Sequence, residues 1–144
     1  MTAEARTEPI VHERQIGASP ETVFAFFTDP EKLTRWLARE ATVDPRPGGV
    51  YHQIHIGDDG KRYSMRGEFV EVSAPERVVF TWGFENDDMK VRPGASTVEV
   101  TLEPRDGGTW LRLVHRDLPE SDRGDHDAGW ATMLDRLASA AAGA

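Results

Sequence analysis

The last third of the chain constrains its fold most. Thr109-Trp110-Leu111-Arg112-Leu113-Val114-His115 reads as a strand, and a polar loop then leads into His126-Asp127-Ala128-Gly129-Trp130-Ala131-Thr132-Met133-Leu134-Asp135-Arg136-Leu137. In that second run Trp130, Met133, Leu134 and Leu137 share one helical face. A strand delivering the chain into one long closing helix suggests a helix held against a curved sheet, with room for a cavity between them. Such an arrangement suits a binder of small apolar molecules better than it suits any one chemistry.

Composition narrows the partners. At 144 residues the chain fits one domain with a real core, and no internal repeat or linker marks a second. The expected division is a frayed polar tail over residues 1–9 and a single domain over residues 10–142. The absence of cysteine removes disulfides, thiolate nucleophiles and cysteine-based zinc or iron–sulfur sites. Seventeen Lys and Arg against 25 Asp and Glu leave a formal charge of −8, which repels phosphate backbones and anionic lipid alike. Neither nucleic acid nor a membrane is therefore an expected partner. The N-terminus lacks the apolar run of a signal peptide, and no stretch is apolar enough to span a bilayer. A cytoplasmic protein is the expectation.

Element signals are local and legible. Ile10 to Ile16 alternates weakly and reads as a first strand. Ser19-Pro20-Glu21 and Asp29-Pro30-Glu31 each combine a capping side chain, proline at the first helical position and an acid in the first turn. They predict two short helices, with stripes Val23-Phe26-Phe27 and Leu33-Trp36-Leu37. Strands follow from Ala41 onward: Val50 to Ile56 and Arg62 to Val72 flank the hairpin loop Gly57-Asp58-Asp59-Gly60. Arg77 to Phe84, Thr97 to Leu102 and Thr109 to Arg116 complete an antiparallel meander. The closing helix is expected from Asp125, with the Ala138 to Ala144 tail frayed.

Several strings together carry a resemblance. Pro20-Glu21-Thr22-Val23-Phe24, Asp29-Pro30-Glu31-Lys32-Leu33 with Trp36, Pro47-Gly48-Gly49-Val50-Tyr51, Gly67-Glu68-Phe69 and Pro75-Glu76-Arg77-Val78-Val79-Phe80-Thr81-Trp82 resemble the START-like (SRPBCC, helix-grip) superfamily. Thr97 to Leu102, Leu113-Val114-His115-Arg116, Gly129-Trp130 and Leu134-Asp135-Arg136-Leu137 narrow the likeness to the branch of activators of heat-shock-protein-90 ATPase. The resemblance runs from about Val11 to Ala138. It implies an α+β helix-grip fold: a curved antiparallel sheet of six to seven strands wrapped around a long C-terminal helix, with two short helices after strand one. It also implies a pocket for a hydrophobic compound, without metal or cofactor.

On that fold the expected ligand-binding set is Phe27, Trp36, Tyr51, Gln53, His55, Tyr63, Met65, Phe69, Phe80, Trp82, Leu113, His115, His126, Trp130, Met133 and Leu134. His115 and His126 are the candidate proton-moving groups, set against the plainer role of bonding loop carbonyls. The resemblance turns Tyr51, Gln53 and His55 toward the cavity, although the bulkier Ile54 and Ile56 have the other parity. Either the pocket has a polar wall or the register slips by one, and periodicity leaves both open. His52 and His55 lie three apart on a strand, point to opposite faces and do not make a metal pair. Trp110 is an expected exposed apolar contact that could serve a homodimer, and Glu85 to Gly94 is long enough for a lid.

Three functions follow in order. The first is binding of a small hydrophobic, aromatic or polyketide-like ligand for sequestration, transport or resistance. The second is a cofactor-free cyclase or dehydratase using His115 or His126. The third is a chaperone-regulating interaction module, placed last because chaperone activators carry an additional domain.

Overall fold

The structure is a computed structural model that describes residues 8–144. Most of the tail expected over residues 1–9 lies outside the described residues. Seven antiparallel strands form one sheet in the order β1-β7-β6-β5-β4-β3-β2. Strand β1 covers Ile10–Ile16, β2 Glu40–Val43, β3 Val50–Ile56, β4 Arg62–Ser73, β5 Arg77–Trp82, β6 Ser96–Arg105 and β7 Gly108–Arg116. Between β1 and β2 run the helices α1 (Pro20–Thr28) and α2 (Pro30–Leu33), and α3 (Glu120–Ala142) closes the chain. This is the helix-grip α+β fold that the sequence implied.

The caps work as their residue types require. Ser19 Oγ accepts the Thr22 amide at 3.2 Å, and Asp29 Oδ1 accepts the Glu31 amide at 2.9 Å. The concave face of the sheet carries the alternating residues Val78, Phe80 and Trp82, Val98, Val100 and Leu102, and Leu111, Leu113 and His115. Phe26, Phe27, Leu33 and Trp36 pack into the same core from α1 and the turn after α2. The sheet bends where β4 shifts register between Phe69 and Glu71. Near that bend the backbones come unusually close: a Cβ on Gly67 would lie 1.9 Å from the Thr81 carbonyl oxygen.

The weak alternation of β1 has a physical reason. His12 and Arg14 occupy its helix-facing positions and grip α3 through polar bonds. The His12 imidazole bonds Asp127 Oδ1 at 2.8 Å, and Arg14 reaches Asp135 and the Ala131 carbonyl, each at 3.4 Å. Arg123 of α3 donates in return to the Glu8 carbonyl at 2.8 Å.

Helix α3 departs from expectation at both ends. It begins at Glu120, not Asp125, directly after Pro119 and without a side-chain cap. Its first turns hold Ser121, Asp122, Gly124 and Asp125, which have low helix propensity and no apolar stripe, so tertiary bonds such as that of Arg123 must hold them. At the other end the helix persists to Ala142, because Ala141 is buried against the core instead of fraying.

Candidate functional site

Between the concave sheet face and α3 lies a cleft of about 170 Å³ lined by Leu37, His55, Trp82, Phe84, Asp125, His126, Gly129, Trp130 and Met133. The fold assembles it from three directions. Strand β5 delivers Trp82, and Phe84 follows it across Gly83. Strand β3 supplies His55, and α3 supplies His126, Gly129, Trp130 and Met133 at helical spacing. The walls are aromatic edges and faces: the Trp82 and Trp130 ring centroids are 5.3 Å apart, and Trp82 and Phe84 meet edge-on at 6.0 Å. A second compartment of about 240 Å³ meets this one at Leu37, His55 and Met133 and opens among Arg35, Arg39 and Arg136.

The two histidines first singled out belong to a directional hydrogen-bond chain. The Trp130 indole N–H donates to His115 Nδ1 at 2.9 Å, so that nitrogen must be an acceptor and the imidazole proton sits on Nε2. His115 Nε2–H then donates to Ser96 Oγ at 2.9 Å, whose hydroxyl donates to the Trp82 carbonyl at 2.8 Å. Burial pushes the His115 pKa down to about 3, with the neighbouring His126 adding to the effect. His126 is engaged at both nitrogens too: Nδ1–H donates to the Asp122 carbonyl at 2.9 Å, and Nε2 accepts the Trp82 indole N–H at 3.3 Å. Both indoles thus spend their only donors inside the protein and leave apolar ring surface toward the cleft.

His55 differs. Its Nε2–H donates to Gln53 Oε1 at 2.8 Å, and Nδ1 has no hydrogen-bond partner among the described residues. Burial lowers its pKa to about 4, which makes it a weak base near neutral pH. Behind it, Gln53 Nε2 and the Tyr51 hydroxyl are buried without a hydrogen-bond partner. Burial raises the Tyr51 pKa above the usual phenol range, and the Gln53 amide offsets only part of that rise.

The structure sorts the expected set into three groups. His55, Trp82, His126, Trp130 and Met133 line the cleft, and Trp36 lines the neighbouring compartment. Phe27, Tyr51, Gln53, Met65, Phe69, Phe80, Leu113, His115 and Leu134 are buried and do not line it. Tyr51, for example, stacks on Phe80 at 4.1 Å and meets Phe69 edge-on. Tyr63 stands outside the cleft, edge-on to Phe84 at 6.1 Å. Tyr51 and Gln53 are buried on one face of β3, and His55 on that face reaches the cleft, so the register with these three inward is the one adopted. Ile54 is nevertheless also buried, on the other face.

Sequence reasoning passed over Leu37 as core stripe, Phe84 as strand end, Gly129 as helix interior and Asp125 as a helix start. Gly129 was recoverable, because it lies three residues after His126 on the same helical face. The expected roles of Trp110 and the lid need correction. Trp110 is half-buried, with the Arg105 guanidinium 4.4 Å over its ring, so it is no exposed patch. The segment from Glu85 to Gly94 is pinned to its own strand: the Phe84 amide donates to the Val91 carbonyl at 2.7 Å, and Val91 is fully buried. Among the described residues no three His, Cys, Asp or Glu side chains converge as metal ligands, and no helix is long and apolar enough to cross a membrane.

Comparison with known proteins agrees with the fold. The family described as Activator of Hsp90 ATPase homolog 1-like protein matches residues 17–142. The human Activator of 90 kDa heat shock protein ATPase homolog 1 is 25% identical over 112 residues, which are 78% of this chain but 30% of the human protein. The chain therefore spans under a third of that relative's length. Among solved structures, protein CV1439 from Chromobacterium violaceum superposes with a TM-score of 0.81 at 26% identity, covering 94% of this chain and 99% of that one. The AHSA1 protein from Silicibacter pomeroyi is 31% identical with a TM-score of 0.75, over 92% and 96% of the two chains. CalU16 from Micromonospora echinospora gives 0.72 at 26% identity, over 92% and 75%.

Proposed function

The chain belongs to the Activator of Hsp90 ATPase homolog 1-like family, a branch of the START-like superfamily, and we propose that it binds a small hydrophobic compound in the cleft between its sheet and α3. The observation that carries this reading is the cleft itself. Its walls are mostly ring surface and aliphatic side chain, and the two compartments together reach the lower part of the range of about 300–1,000 Å³ that small-molecule sites occupy. Flat aromatic or polyketide-like compounds suit it, since Trp82, Phe84 and Trp130 offer stacking and edge contacts with few competing polar groups. Burial of apolar surface at roughly 25 cal/mol per Å² would supply the affinity.

A binding role fits the histidines better than a cyclase or dehydratase role. His115 and His126 hold Trp130 and Trp82 in place and offer the cleft no unengaged nitrogen, while His55 is a poor base at neutral pH. The chaperone-regulating reading rests on the family's description and on the human relative, of which the chain matches a minor part.

Native mass spectrometry of freshly purified protein, followed by denaturing extraction, tests the proposal. A discrete small molecule released at near one-to-one ratio supports it, and its mass gives the chemical class. If the protein carries none and a panel of bicyclic aromatics leaves the Trp82 and Trp130 indole N–H resonances unmoved, the binding reading fails.

A further inference from the structure

Taking the cleft as the binding site, we propose that its ligand is an amphipathic organic anion, with an aromatic body among Trp82, Phe84 and Trp130 and a carboxylate or similar oxyanion on Arg39 and Arg136. Three observations on the charges around the cleft converge.

The first is that the neighbouring compartment is basic in a protein whose formal charge is −8. Arg35, Arg39 and Arg136 line it from two sides, one the segment after α2 and the other α3. A cluster of guanidinium groups against that overall charge creates a local positive field that an anion would seek.

The second is that two of the three arginines are uncommitted. Arg35 pairs with Glu31 at 2.9 Å. Arg39 and Arg136 have no carboxylate within ion-pair distance among the described residues, although Asp135 stands beside Arg136 in sequence and pairs with Arg14 instead. Arg39 is fixed at its backbone, where its amide donates to the Ile54 carbonyl at 2.7 Å. The Arg136 guanidinium lies against the Met133 sulfur at 3.9 Å, on the boundary between the compartments. Met133 is a flexible thioether and the adaptable part of that boundary, so a rigid ligand can join the two spaces.

The third is polarity along the cleft. Asp125 lines the aromatic compartment and the arginines line its neighbour, so one end is acidic and the other basic. A ligand with a single negative group would enter in one orientation only, its charge toward Arg39 and Arg136 and away from Asp125. Guanidinium groups suit oxyanions because their planar fork of N–H donors matches two oxygens at once.

Calorimetric titration with 2-naphthoate and its neutral isostere 2-naphthamide decides the matter, using the whole protein and its Arg39→Gln/Arg136→Gln double variant. Both arginines are exposed, so the double variant should fold normally. The expected result is that naphthoate binds the parent protein about tenfold more tightly than naphthamide, an advantage that shrinks on raising salt. In the double variant that advantage should fall below about threefold, with naphthamide affinity unchanged. Equal affinities in the parent protein, or an advantage that survives the double substitution, would overturn the anion while leaving a hydrophobic site intact. Binding of neither probe would overturn the site and the anion together.

Discussion

The indole N–H of Trp130 donates to Nδ1 of His115 across 2.9 Å, and both residues are buried. This bond fixes the tautomer of the imidazole and the plane of the indole at once. A single polar contact therefore sets one wall of the cleft. Trp130→Phe keeps one aromatic ring but leaves His115 Nδ1 buried without a donor, a loss of about 1–3 kcal/mol in unfolding free energy to which the missing second ring adds a packing cost. Urea denaturation measures it, and an unchanged midpoint would show that the bond contributes nothing.

Acid should weaken the fold through two buried imidazoles. The pKa of His115 is lowered to about 3 and that of His55 to about 4, both by burial, from an ordinary value near 6.5. Between those values and about pH 6.5 the unfolded chain binds protons that the folded chain refuses. Stability is thus full above about pH 6.5 and falls as pH drops through that window, by at most about 1.4 kcal/mol per pH unit for each imidazole. Below the folded-state values their contribution levels off. Denaturation midpoints measured from pH 7 to pH 4 give the slope, and His55→Phe should flatten it between pH 4 and 6.5.

Tyr51→Phe should be neutral or stabilise by up to about 1 kcal/mol. The hydroxyl is buried with no well-formed hydrogen bond, its one polar neighbour being the Gln53 amide, so its removal deletes a largely unmet desolvation cost while the ring keeps its contacts with Phe69 and Phe80. A loss above about 1 kcal/mol in thermal or urea unfolding would mean that the hydroxyl is bonded in solution.

Two glycine substitutions should move stability in opposite directions. Gly67→Ala places a methyl group 1.9 Å from the Thr81 carbonyl oxygen, and the sheet must open at its bend, at a cost of about 2 kcal/mol or more. Gly124→Ala lies within α3 with nothing within 4 Å of its added carbon. It should stabilise by about 0.5–1 kcal/mol through helix propensity. Paired thermal unfolding curves check both signs.

Gly129→Ala probes the cleft in place of the fold. Its methyl group meets no atom within 4 Å, yet the position lines the aromatic compartment. Helix stability should rise by a few tenths of a kcal/mol up to about 1, while affinity for a bicyclic aromatic probe falls severalfold. Unchanged probe affinity would place the ligand elsewhere.

The meander from β3 to β7 and the first two helix starts were legible because they rest on local chemistry, whereas the pairing of β1 with β7 does not. Ser19 and Asp29 cap helices wherever they precede proline and acid, and the Gly57 to Gly60 loop turns a hairpin without tertiary help. The early start of α3 was hidden, since Glu120 to Asp125 are held by distant bonds, Arg123 to the Glu8 carbonyl and Lys90 to Ser121, and not by their own propensity. At the site, the shared helical face put Trp130 and Met133 together, and the resemblance implied that Trp82 and His126 face the pocket. It could not show that His115 stands behind Trp130 while His126 reaches the surface of the same cavity. That difference is one of depth, and alternation along a strand reports only the side. The basic compartment was invisible for a related reason: Arg39 and Arg136 are nearly a hundred residues apart and become neighbours only when α3 closes over the sheet.

Strand β1 sits at one edge of the sheet and takes all its ladder bonds from β7, with Ile10 opposite His115 and Ile16 opposite Thr109. During synthesis β1 therefore waits for β7. Until Arg116 has emerged its amides have only water to bond, and until α3 follows, His12 and Arg14 have nothing to grip. The nascent chain can pair β2 through β6 in the order they appear, but the cleft takes shape only when α3 has followed β7 and closed over the sheet, so any ligand would meet a folded domain and not a partial sheet.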